Sequence, residues 1–412
     1  MEQFYFGAAT SSHQVEGGQK NDWTEWEKRT AERKTRSAKG NPPAGGWPDY
    51  ILRNFPNPLQ AENYISGAAA DHWSRYEEDF DLAKKLGHNA HRFSIEWSRV
   101  EPEEGKFDEK ALAHYRDVVR ALRKRGMEPF VTLWHFTVPR WFRDQGGWLN
   151  PEAVPRFSRY VERVLGSLGR DVTFWVTINE PAIYAAESYL IGVWPPNRRN
   201  PFAYLRVLSA LAGAHRAAYA MIKRANATAQ VGIAKNYIFF DTQWKNPLTE
   251  AAIRIARGWW NLNFLERIKD AQDFIGVNYY FHAMVERGFS KKCDATHSDM
   301  GWGLCSEGLY HVLTDLARYG KPLYVTENGL ADVRDAYRAE FIDESLRAVK
   351  RAIGAGADVR GYLHWSLLDN FEWADGFWPR FGLVEIDYKT LARRVRPSAL
   401  RYRDMITKWP NI

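Results

Sequence analysis

The 412-residue sequence is poor in cysteine, with only Cys293 and Cys305. This scarcity excludes a disulfide framework and a paired-cysteine metal motif. The two cysteines are close enough in sequence to form a bridge, although we expect free thiols in a reducing compartment. Long apolar runs are also missing, since no stretch approaches the ~18 apolar residues that a membrane span requires. The first residues lack the basic and apolar regions of a signal peptide, so we expect a cytoplasmic protein with no membrane partner.

The sequence also lacks a strong charge imbalance and the usual metal and nucleotide motifs. Its net charge is +7, with basic and acidic residues mixed throughout. The main basic cluster, Lys28 to Lys39, has no nucleic-acid-binding motif beside it, which argues against a nucleic-acid partner. We interpret this cluster as a solvated loop, with a phosphate-binding patch as the alternative. The histidines are scattered without metal-ligand spacing, so no metal site is predicted.

Aromatic residues, in contrast, are abundant, with 18 Trp, 20 Tyr and 22 Phe. Aromatic faces can stack on the C–H surfaces of sugars, but large cores need aromatics as well. Apolar residues make up 45% of the sequence, an ordinary value for a globular protein with a large core. The aromatic content is therefore a hint of sugar binding and no more.

Eight apolar strands alternate with helical segments along the chain. They are FYFGA (4–8), HNAHRFSI (88–95), MEPFVTLWHF (127–136), VTFWVTINE (172–180), AQVGIAKNY (229–237), DFIGVNYY (273–280), KPLYVTEN (321–328) and VRGYLHWSLL (359–368). This pattern predicts an α/β fold, a single (β/α)8 TIM barrel spanning residues 1–412. Long loops are expected after strand one (about 10–70) and strand six (about 281–308). An open doubly wound sheet is the rival, but the segment GAATSSHQVEGG is not its glycine-rich phosphate turn.

Two strands end on a glutamate in similar surroundings, Glu180 in VTINEP and Glu327 in YVTENG. In a β/α barrel the active site lies at the carboxyl ends of the strands, so these two carboxylates should face each other. Cleavage of a glycosidic bond requires such a pair, one carboxyl to protonate the departing oxygen and one to attack or to activate water. Ordinary surface carboxylates are the alternative, and the repeated arrangement argues against it. Other polar or aromatic side chains follow the strands: Gln14, Arg92, His135, Asn179, Asn236, Asn278, Tyr280, Trp365, Glu372 and Trp373.

Five motifs in order, TINEP, YVTENG, HRFSIEWSRVEP, HWSLLDNFEW and RFGLVEIDY, make the sequence resemble the family-1 glycoside hydrolases, which are retaining β-glycosidases. The resemblance extends from FGAATSSHQVEG to RPSALRYRDM. It implies a (β/α)8 barrel without cofactor or metal that hydrolyses terminal non-reducing β-D-glycosidic bonds. The expected substrates are small oligosaccharides or aryl and alkyl β-glycosides of glucose, and of galactose or fucose as further candidates.

The resemblance also implies roles for individual residues. Glu180 corresponds to the general acid/base and Glu327 to the nucleophile, with Tyr280 and Arg92 beside the nucleophile. The residues expected to bind the non-reducing sugar are Gln14, His135, Asn179, Glu372 and Trp373, with Trp365 as the platform under the ring. Those expected to line the aglycone side are Asn236, Asn278 and Trp302.

The sequence departs from the family in two places. The segment between strands five and six, Lys235 to Asp273, is short, and WHFTVP replaces the commoner WHWDLP. Neither departure touches the catalytic pair. Transglycosylation at the same site and a non-catalytic sugar-binding relative remain as alternatives, and the presence of both glutamates argues against the second.

Overall fold

The computed structural model describes residues 3–242, 244, 246–285, 289–290 and 296–409. The strands are β1 (Tyr5–Ala9), β2 (Ala90–Ser94), β3 (Glu128–Trp134), β4 (Phe174–Asn179), β5 (Gln230–Asp241), β6 (Phe274–Val285), β7 (Phe289–Ser290), β8 (Leu323–Asn328), β9 (Val359–Trp365), β10 (Val384–Asp387) and β11 (Ala392–Val395). The α-helices are α1 (Ser12–Val15), α2 (Asp22–Gly40), α3 (Asp49–Leu52), α4 (His72–Lys85), α5 (Trp97–Val100), α6 (Glu109–Lys124), α7 (Arg140–Asp144), α8 (Ala153–Leu168), α9 (Pro181–Ala185), α10 (Pro201–Ala225), α11 (Pro247–Arg257), α12 (Asn263–Ile268), α13 (Glu307–Leu316), α14 (Arg338–Gly354) and α15 (Pro397–Lys408). Short 3-10 helices span Ala61–Tyr64, Gly147–Leu149, Ala317–Tyr319 and Trp373–Asp375, and π-helical turns span Ala186–Leu190 and Gly258–Leu262.

Eight parallel strands close into a barrel. Their order is β5-β4-β3-β2-β1-β9-β8-β6, and β6 pairs back onto β5. β7 adds an antiparallel strand to the extended end of β6, and β10 and β11 form a separate hairpin. The (β/α)8 barrel predicted from the sequence is confirmed.

Aromatic rings fill the barrel interior near the start of the strands. Phe130 and Phe174 lie on paired positions of β3 and β4 and stack with their centroids 4.3 Å apart. Tyr5 and Tyr324 pack edge-on against this pair, and Phe274 packs edge-on against Tyr324 to close the group. Because bulky side chains occupy this end, the open end of the barrel is the one where the strands finish.

The helices that surround the barrel show the expected amphipathic pattern. In α6, Asp108 accepts hydrogen bonds from the backbone N–H groups of Lys110 and Ala111, which caps the first turn. The buried residues of this helix recur at helical spacing along one face: Ala111, Leu112, Tyr115, Val118, Val119, Ala121 and Leu122. This spacing packs one helix face against the barrel and leaves the charged face in solvent.

The expected loop at residues 10–70 is wrong, because the 19-residue helix α2 lies within it. Asn21 and Thr24 form a reciprocal capping box that starts the helix. The basic cluster Lys28 to Lys39 therefore lies on a helix and not in a solvated loop. The buried face is largely polar, which hides its periodicity: alongside Trp23, Trp26 and Ala31 it carries Asp22, Thr24, Glu27, Thr30 and Thr35.

Three further expectations need correction or fall outside the described residues. The loop expected from about residue 281 starts later, because β6 continues to Val285. The sequence pattern of ARGWWNLNFLERIKD (256–270) predicts a single helix, but a π-helical turn divides this segment into the end of α11, the turn itself and α12. Cys293, and with it the question of a bridge to Cys305, lies outside the described residues.

In the described part of the chain, no helix has both the length and the apolar character needed to cross a membrane.

Candidate active site

A cavity of about 460 Å³ opens at the carboxyl ends of the barrel strands. Both strand-end glutamates line it, together with most of the other residues singled out in the sequence. Those residues are His135, Asn179, Glu180, Asn236, Tyr280, Trp302, Glu327, Trp365, Glu372 and Trp373. The structure therefore brings together predicted side chains from six strand ends, from the turn after β9 and, with Trp302, from the segment between β7 and α13.

Glu180 stands on a sharp strand-to-helix turn. β4 ends at Asn179, and Glu180 takes the left-handed conformation (φ 41°, ψ 60°) before Pro181 opens α9. A proline fits the first helical position because its missing N–H would have no intrahelical acceptor there. The backbone N–H of Glu180 donates to the carbonyl oxygen of Ala234 on β5 at 2.7 Å. The motif TINEP therefore builds a strained, well-anchored turn that holds the carboxyl group at the cavity wall.

Glu327 lies within β8 and is held by two donors. Arg92 donates from Nη1 to Oε1 of Glu327 at 2.5 Å, and the Tyr280 hydroxyl donates to Oε2 at 2.6 Å. The glycine of the TENG motif allows the neighbouring strand to come close, because a Cβ on Gly329 would lie 1.8 Å from the carbonyl oxygen of Trp365. The nucleophile expected from the sequence is thus a buried carboxylate paired with a fully buried guanidinium.

The two carboxyl groups differ in their tendency to ionise. Burial raises the pKa of Glu180 to about 8, and the nearby charge of Glu327 adds to this rise. Burial also raises the pKa of Glu327, but Arg92 and the Tyr280 hydroxyl act against it. Since these donors stabilise only the anion of Glu327, Glu327 ionises first and Glu180 keeps its proton.

Asn278 links the two glutamates, because it pairs with Glu327 in the β6–β8 register and its side chain bonds Glu180. It is fully buried on β6, and its Nδ2 donates to Oε1 of Glu180 at 2.8 Å. Its own Oδ1 accepts from the Thr326 hydroxyl at 2.7 Å, which fixes the orientation of the amide. The expectation that Asn278 lines the aglycone side stays a prediction, and in the structure its side chain contacts Glu180 and Thr326. Its amide holds Glu180 in place without adding a charge.

A second amide, that of Asn179, sets the tautomer of His135. Arg92 can only donate, and it donates from Nη2 to Oδ1 of Asn179 at 2.6 Å. Nδ2 of Asn179 is therefore the donor to Nε2 of His135, 3.0 Å away. Burial holds the pKa of His135 well below its ordinary range, so the ring is neutral and its proton is on Nδ1. Among the residues that the structure describes, none accepts a hydrogen bond from this buried N–H.

The remaining predicted residues form one wall of the cavity. Gln14 lies behind it and donates from Nε2 to Oε2 of Glu372 at 3.2 Å. Trp373 stacks on His135 with ring planes 18° apart, and Trp365 stacks on the same ring at 25°. Burial, followed by the charges of Asp375 and both glutamates of the pair, raises the pKa of Glu372 well above its ordinary range. The wall offers carboxyl, amide and imidazole groups next to flat aromatic faces, as a sugar ring requires.

On the outer side, Asn236 and Trp302 line the cavity. Asn236 accepts a hydrogen bond from Nε1 of Trp260 at 3.1 Å, and Trp302 packs against Tyr280 and Phe381.

Sequence reasoning missed two lysines near the site. Lys34 of α2 lines the cavity, lies 4.9 Å from the centroid of the Trp26 ring and donates to the carbonyl oxygen of Ala374. Lys235 of β5 is fully buried next to Asn236. A helix assignment for α2 would have indicated that some lysines of the basic cluster face inward. For Lys235 the signal was present: a lone lysine within an apolar strand.

Known proteins with this fold have the same overall organisation. The family model of glycosyl hydrolase family 1 matches residues 1–264 and 262–410. Beta-glucosidase A of Thermotoga maritima is 30% identical over 98% of this chain and 97% of the relative, and a beta-galactosidase of Saccharolobus solfataricus is 32% identical over 82% and 84%. Among solved structures, a beta-glycosidase from Pyrococcus horikoshii superposes with a TM-score of 0.86 at 38% identity, covering 98% of this chain and 94% of that chain. A Thermotoga maritima beta-glucosidase in complex with glucoimidazole gives a TM-score of 0.85 at 28% identity, covering 99% and 98%.

Proposed function

The chain belongs to glycosyl hydrolase family 1 and is a β-glycoside hydrolase, and we propose that it works by a retaining double displacement with Glu327 as nucleophile and Glu180 as acid/base. The observation that carries this proposal is the asymmetry of the two carboxyl groups. Glu327 accepts from a cation and a phenol, whereas Glu180 accepts from one neutral amide. The first environment favours an anion and the second favours the protonated acid.

In the first step, Glu180 donates its proton to the glycosidic oxygen while Oε of Glu327 bonds to the anomeric carbon. The bond from that carbon to the oxygen breaks, and its electron pair leaves with the oxygen. Tyr280 and Arg92 hold Glu327 in place, which restricts the approach of the attacking oxygen. The Nδ1–H of His135 and the amide and carboxyl groups of the opposite wall bind the sugar hydroxyls.

In the second step, the same residues act in reverse. Glu327 is now an uncharged ester, so the negative charge that favoured the protonated form of Glu180 is gone. Glu180 then takes a proton from water, and the oxygen of that water attacks the anomeric carbon and releases Glu327. A sugar hydroxyl in place of water would give transglycosylation by the same path.

We propose that the substrates are terminal β-D-glycosides of small oligosaccharides or of aryl and alkyl aglycones. The names of the relatives, which include beta-glucosidases and beta-galactosidases, support glucose and galactose as the sugars to test first. A cytoplasmic location stays a prediction, to be checked by cell fractionation.

Proton NMR of the product immediately after mixing tests the mechanism. A nucleophilic Glu327 requires the two carboxyl groups to lie about 5–5.5 Å apart and gives the β-anomer first. Initial release of the α-anomer from a β-glycoside would overturn the assignment of Glu327 as nucleophile. An aryl α-glucoside serves as the control and should not be hydrolysed.

A further inference from the structure

His13 is a fully buried residue that stacks on a side chain of the cavity wall. Its imidazole plane lies within 12° of the indole plane of Trp373, with the ring centroids 5.5 Å apart. The same indole lies within 18° of the imidazole of His135, with the centroids 5.9 Å apart. Trp373 is therefore in nearly parallel contact with two imidazoles, of which His135 lines the cavity and His13 lies in the protein interior.

Hydrogen bonds at both ring nitrogens fix the plane of His13. The Oδ1 atom of Asn21 accepts the backbone N–H of Thr24, so its Nδ2 is the donor to Nδ1 of His13, 3.0 Å away. The proton of the ring is therefore on Nε2, which donates to Oε1 of Glu27 at 2.8 Å. The other oxygen of Glu27 accepts from the backbone N–H and the hydroxyl of Ser66. Each partner of the imidazole is thus itself held by a further hydrogen bond.

The backbone at Trp373 adopts a conformation that is rare for a bulky residue. Its φ is +44°, in the left-handed region, where a residue with a large side chain persists only if its surroundings hold it. Asn63 holds the main chain of the turn, since its Nδ2 donates to the carbonyl oxygen of Asp375 at 2.9 Å. This bond does not fix the rotation of the indole about its own side-chain bonds. The orientation of the indole depends instead on the rings that pack against it.

Three other rings contact the indole of Trp373 at larger angles, namely Trp23 at 58°, Phe136 at 63° and Trp194 at 37°. Phe136 has no polar atom, and the buried Nε1 of Trp23 has no hydrogen-bond partner among the described residues. These two rings are therefore held by packing alone. His13 differs from them because it is parallel to the indole and has a fixed plane, so rotation of the indole out of that plane would push it into the imidazole.

The short helix α1 supports two consecutive residues of the cavity wall. His13 stacks on Trp373, and the next residue, Gln14, donates to Glu372. The helix α2 in turn supplies Glu27, which accepts the proton of the His13 ring. The polar character of the buried face of α2 thus serves the contacts that orient His13.

We propose that His13 is a positioning residue that acts through Trp373: its hydrogen-bonded imidazole holds the indole in the plane in which it contacts the sugar. This inference rests on the proposed sugar-binding role of Trp373. His13 itself touches no substrate and exchanges no proton, so its loss should weaken sugar binding in the ground state and the transition state alike. Such uniform weakening raises KM and leaves kcat nearly unchanged.

Two variants of His13 separate the ring from its hydrogen bonds. His13→Gln keeps a donor for Glu27 and an acceptor for Asn21 but has no ring to stack on the indole. His13→Phe keeps a ring but loses both hydrogen bonds that fix its plane. The measurements are kcat and KM on a nitrophenyl β-glucoside, and the inhibition constant of glucose as a competitive inhibitor. We expect KM and the inhibition constant to rise about tenfold in His13→Gln and about threefold in His13→Phe, because an aromatic pair contributes this much to binding equilibria.

The dependence of these effects on Trp373 is the readout that a merely structural role would not change. In a Trp373→Leu background the indole is gone, so the further substitution His13→Gln should no longer raise KM or the inhibition constant. The two substitutions should therefore be strongly non-additive. An equal effect of His13→Gln in both backgrounds overturns the inference, because His13 would then act on the sugar by another route, for instance through Gln14.

Buried His88 supplies the matched control. It precedes β2 at the end of the barrel opposite the cavity and packs against Tyr402. His88→Gln should lower the melting temperature and leave kcat, KM and the inhibition constant unchanged. Wild-type values of KM and of the inhibition constant in His13→Gln overturn the inference, even if its melting temperature falls.

If His13→Gln does not fold, His13→Phe decides between the outcomes. Constants that rise in the presence of Trp373 and not in the Trp373→Leu background support the inference, and unchanged constants overturn it.

Failure of the underlying function would look different. Trp373→Leu alone would then leave KM and the inhibition constant unchanged, and the inference would fall with its premise. If Trp373→Leu raises both constants while His13→Gln and His13→Phe raise neither, the proposed role of Trp373 stands and the inference about His13 alone is overturned.

Discussion

Arg92 donates from Nη1 to Oε1 of Glu327 at 2.5 Å, and both side chains are buried. The guanidinium also bonds Thr132 and Asn179, so it is held in one position. Its permanent charge therefore stabilises the anion of Glu327 in a place that water scarcely screens. In the proposed mechanism, the readiness of Glu327 to attack depends on this pair.

Arg92→Met should raise the pKa of Glu327, because the removed cation favoured its anion. The acidic limb of kcat/KM should then move to higher pH, and the rate should fall about 10²-fold or more. Tyr280→Phe removes a neutral donor from the same carboxylate and should shift the limb in the same direction by less. An acidic limb that stays in place in both variants would mean that another group controls it.

Removal of each glutamate should have a different consequence. Glu327→Ala loses the nucleophile and should be nearly inactive on every substrate. Glu180→Ala should lose about 10²–10⁴-fold on alkyl glycosides and much less on a dinitrophenyl glycoside, whose leaving group needs no proton. In that variant, azide needs no base and should restore turnover as the β-glycosyl azide. Burst kinetics with and without azide measure this, and equal losses on both substrates without rescue would contradict the assignment.

Glu180→Gln should change how stability depends on pH. The pKa of Glu180 in the folded protein is about 8, above its ordinary value of 4.5. At a pH between these two pKa values, Glu180 holds a proton in the folded state that it has released in the unfolded state. Its contribution to the free energy of unfolding therefore falls as the pH rises. Glutamine carries no such proton, and the melting temperature of the variant should exceed that of the wild type increasingly from about pH 5 to pH 8. Exposed Glu152→Gln is the control, and parallel curves for both variants and the wild type would refute the prediction.

Lys34→Met should weaken sugar binding without disabling the chemistry. Lys34 donates to the carbonyl oxygen of Ala374, in the turn that carries Glu372 and Trp373. Loss of a hydrogen bond from a charged group costs about 1.5–3 kcal/mol, so we expect KM to rise about tenfold or more, with a smaller change in kcat. Exposed Lys28 on the same helix supplies the matched control, Lys28→Met, which should leave both constants unchanged. A fall in kcat at constant KM would assign Lys34 to the reaction itself.

The sequence predicts the barrel and the carboxyl pair well because both depend on local signals. Each barrel strand is a short apolar run, and Glu180 and Glu327 stand at strand ends within recognisable motifs. The sequence does not reveal helix α2 because part of its buried face is polar. Glu27 on this face bonds His13 and Ser66, and Thr30 bonds the carbonyl oxygen of Trp26. Periodicity of apolar residues cannot detect a helix that packs against a polar site.

The contact between Asn278 and Glu180 was beyond the sequence for a related reason. Alternation along β6 places its side chain towards the barrel axis, but the depth at which it lies depends on the stagger of β6 against β8. That register shifts between Val277 and Asn278, and such an irregularity has no local signal. The contacts of a residue in a barrel thus depend on its position along the barrel axis, and the pairing of all the strands in the closed sheet determines that position.

The wall of the cavity that we propose to bind the sugar joins segments from near the two ends of the chain. β1 closes the barrel against β9, Gln14 bonds Glu372, and Lys34 and Asn63 hold the turn that follows. During synthesis on a ribosome, the amino-terminal part of this wall is made first. Its partners in the turn after β9 are made only when most of the chain has been synthesised. We therefore expect the site to assemble only after the segment that carries Glu372 and Trp373 has been synthesised.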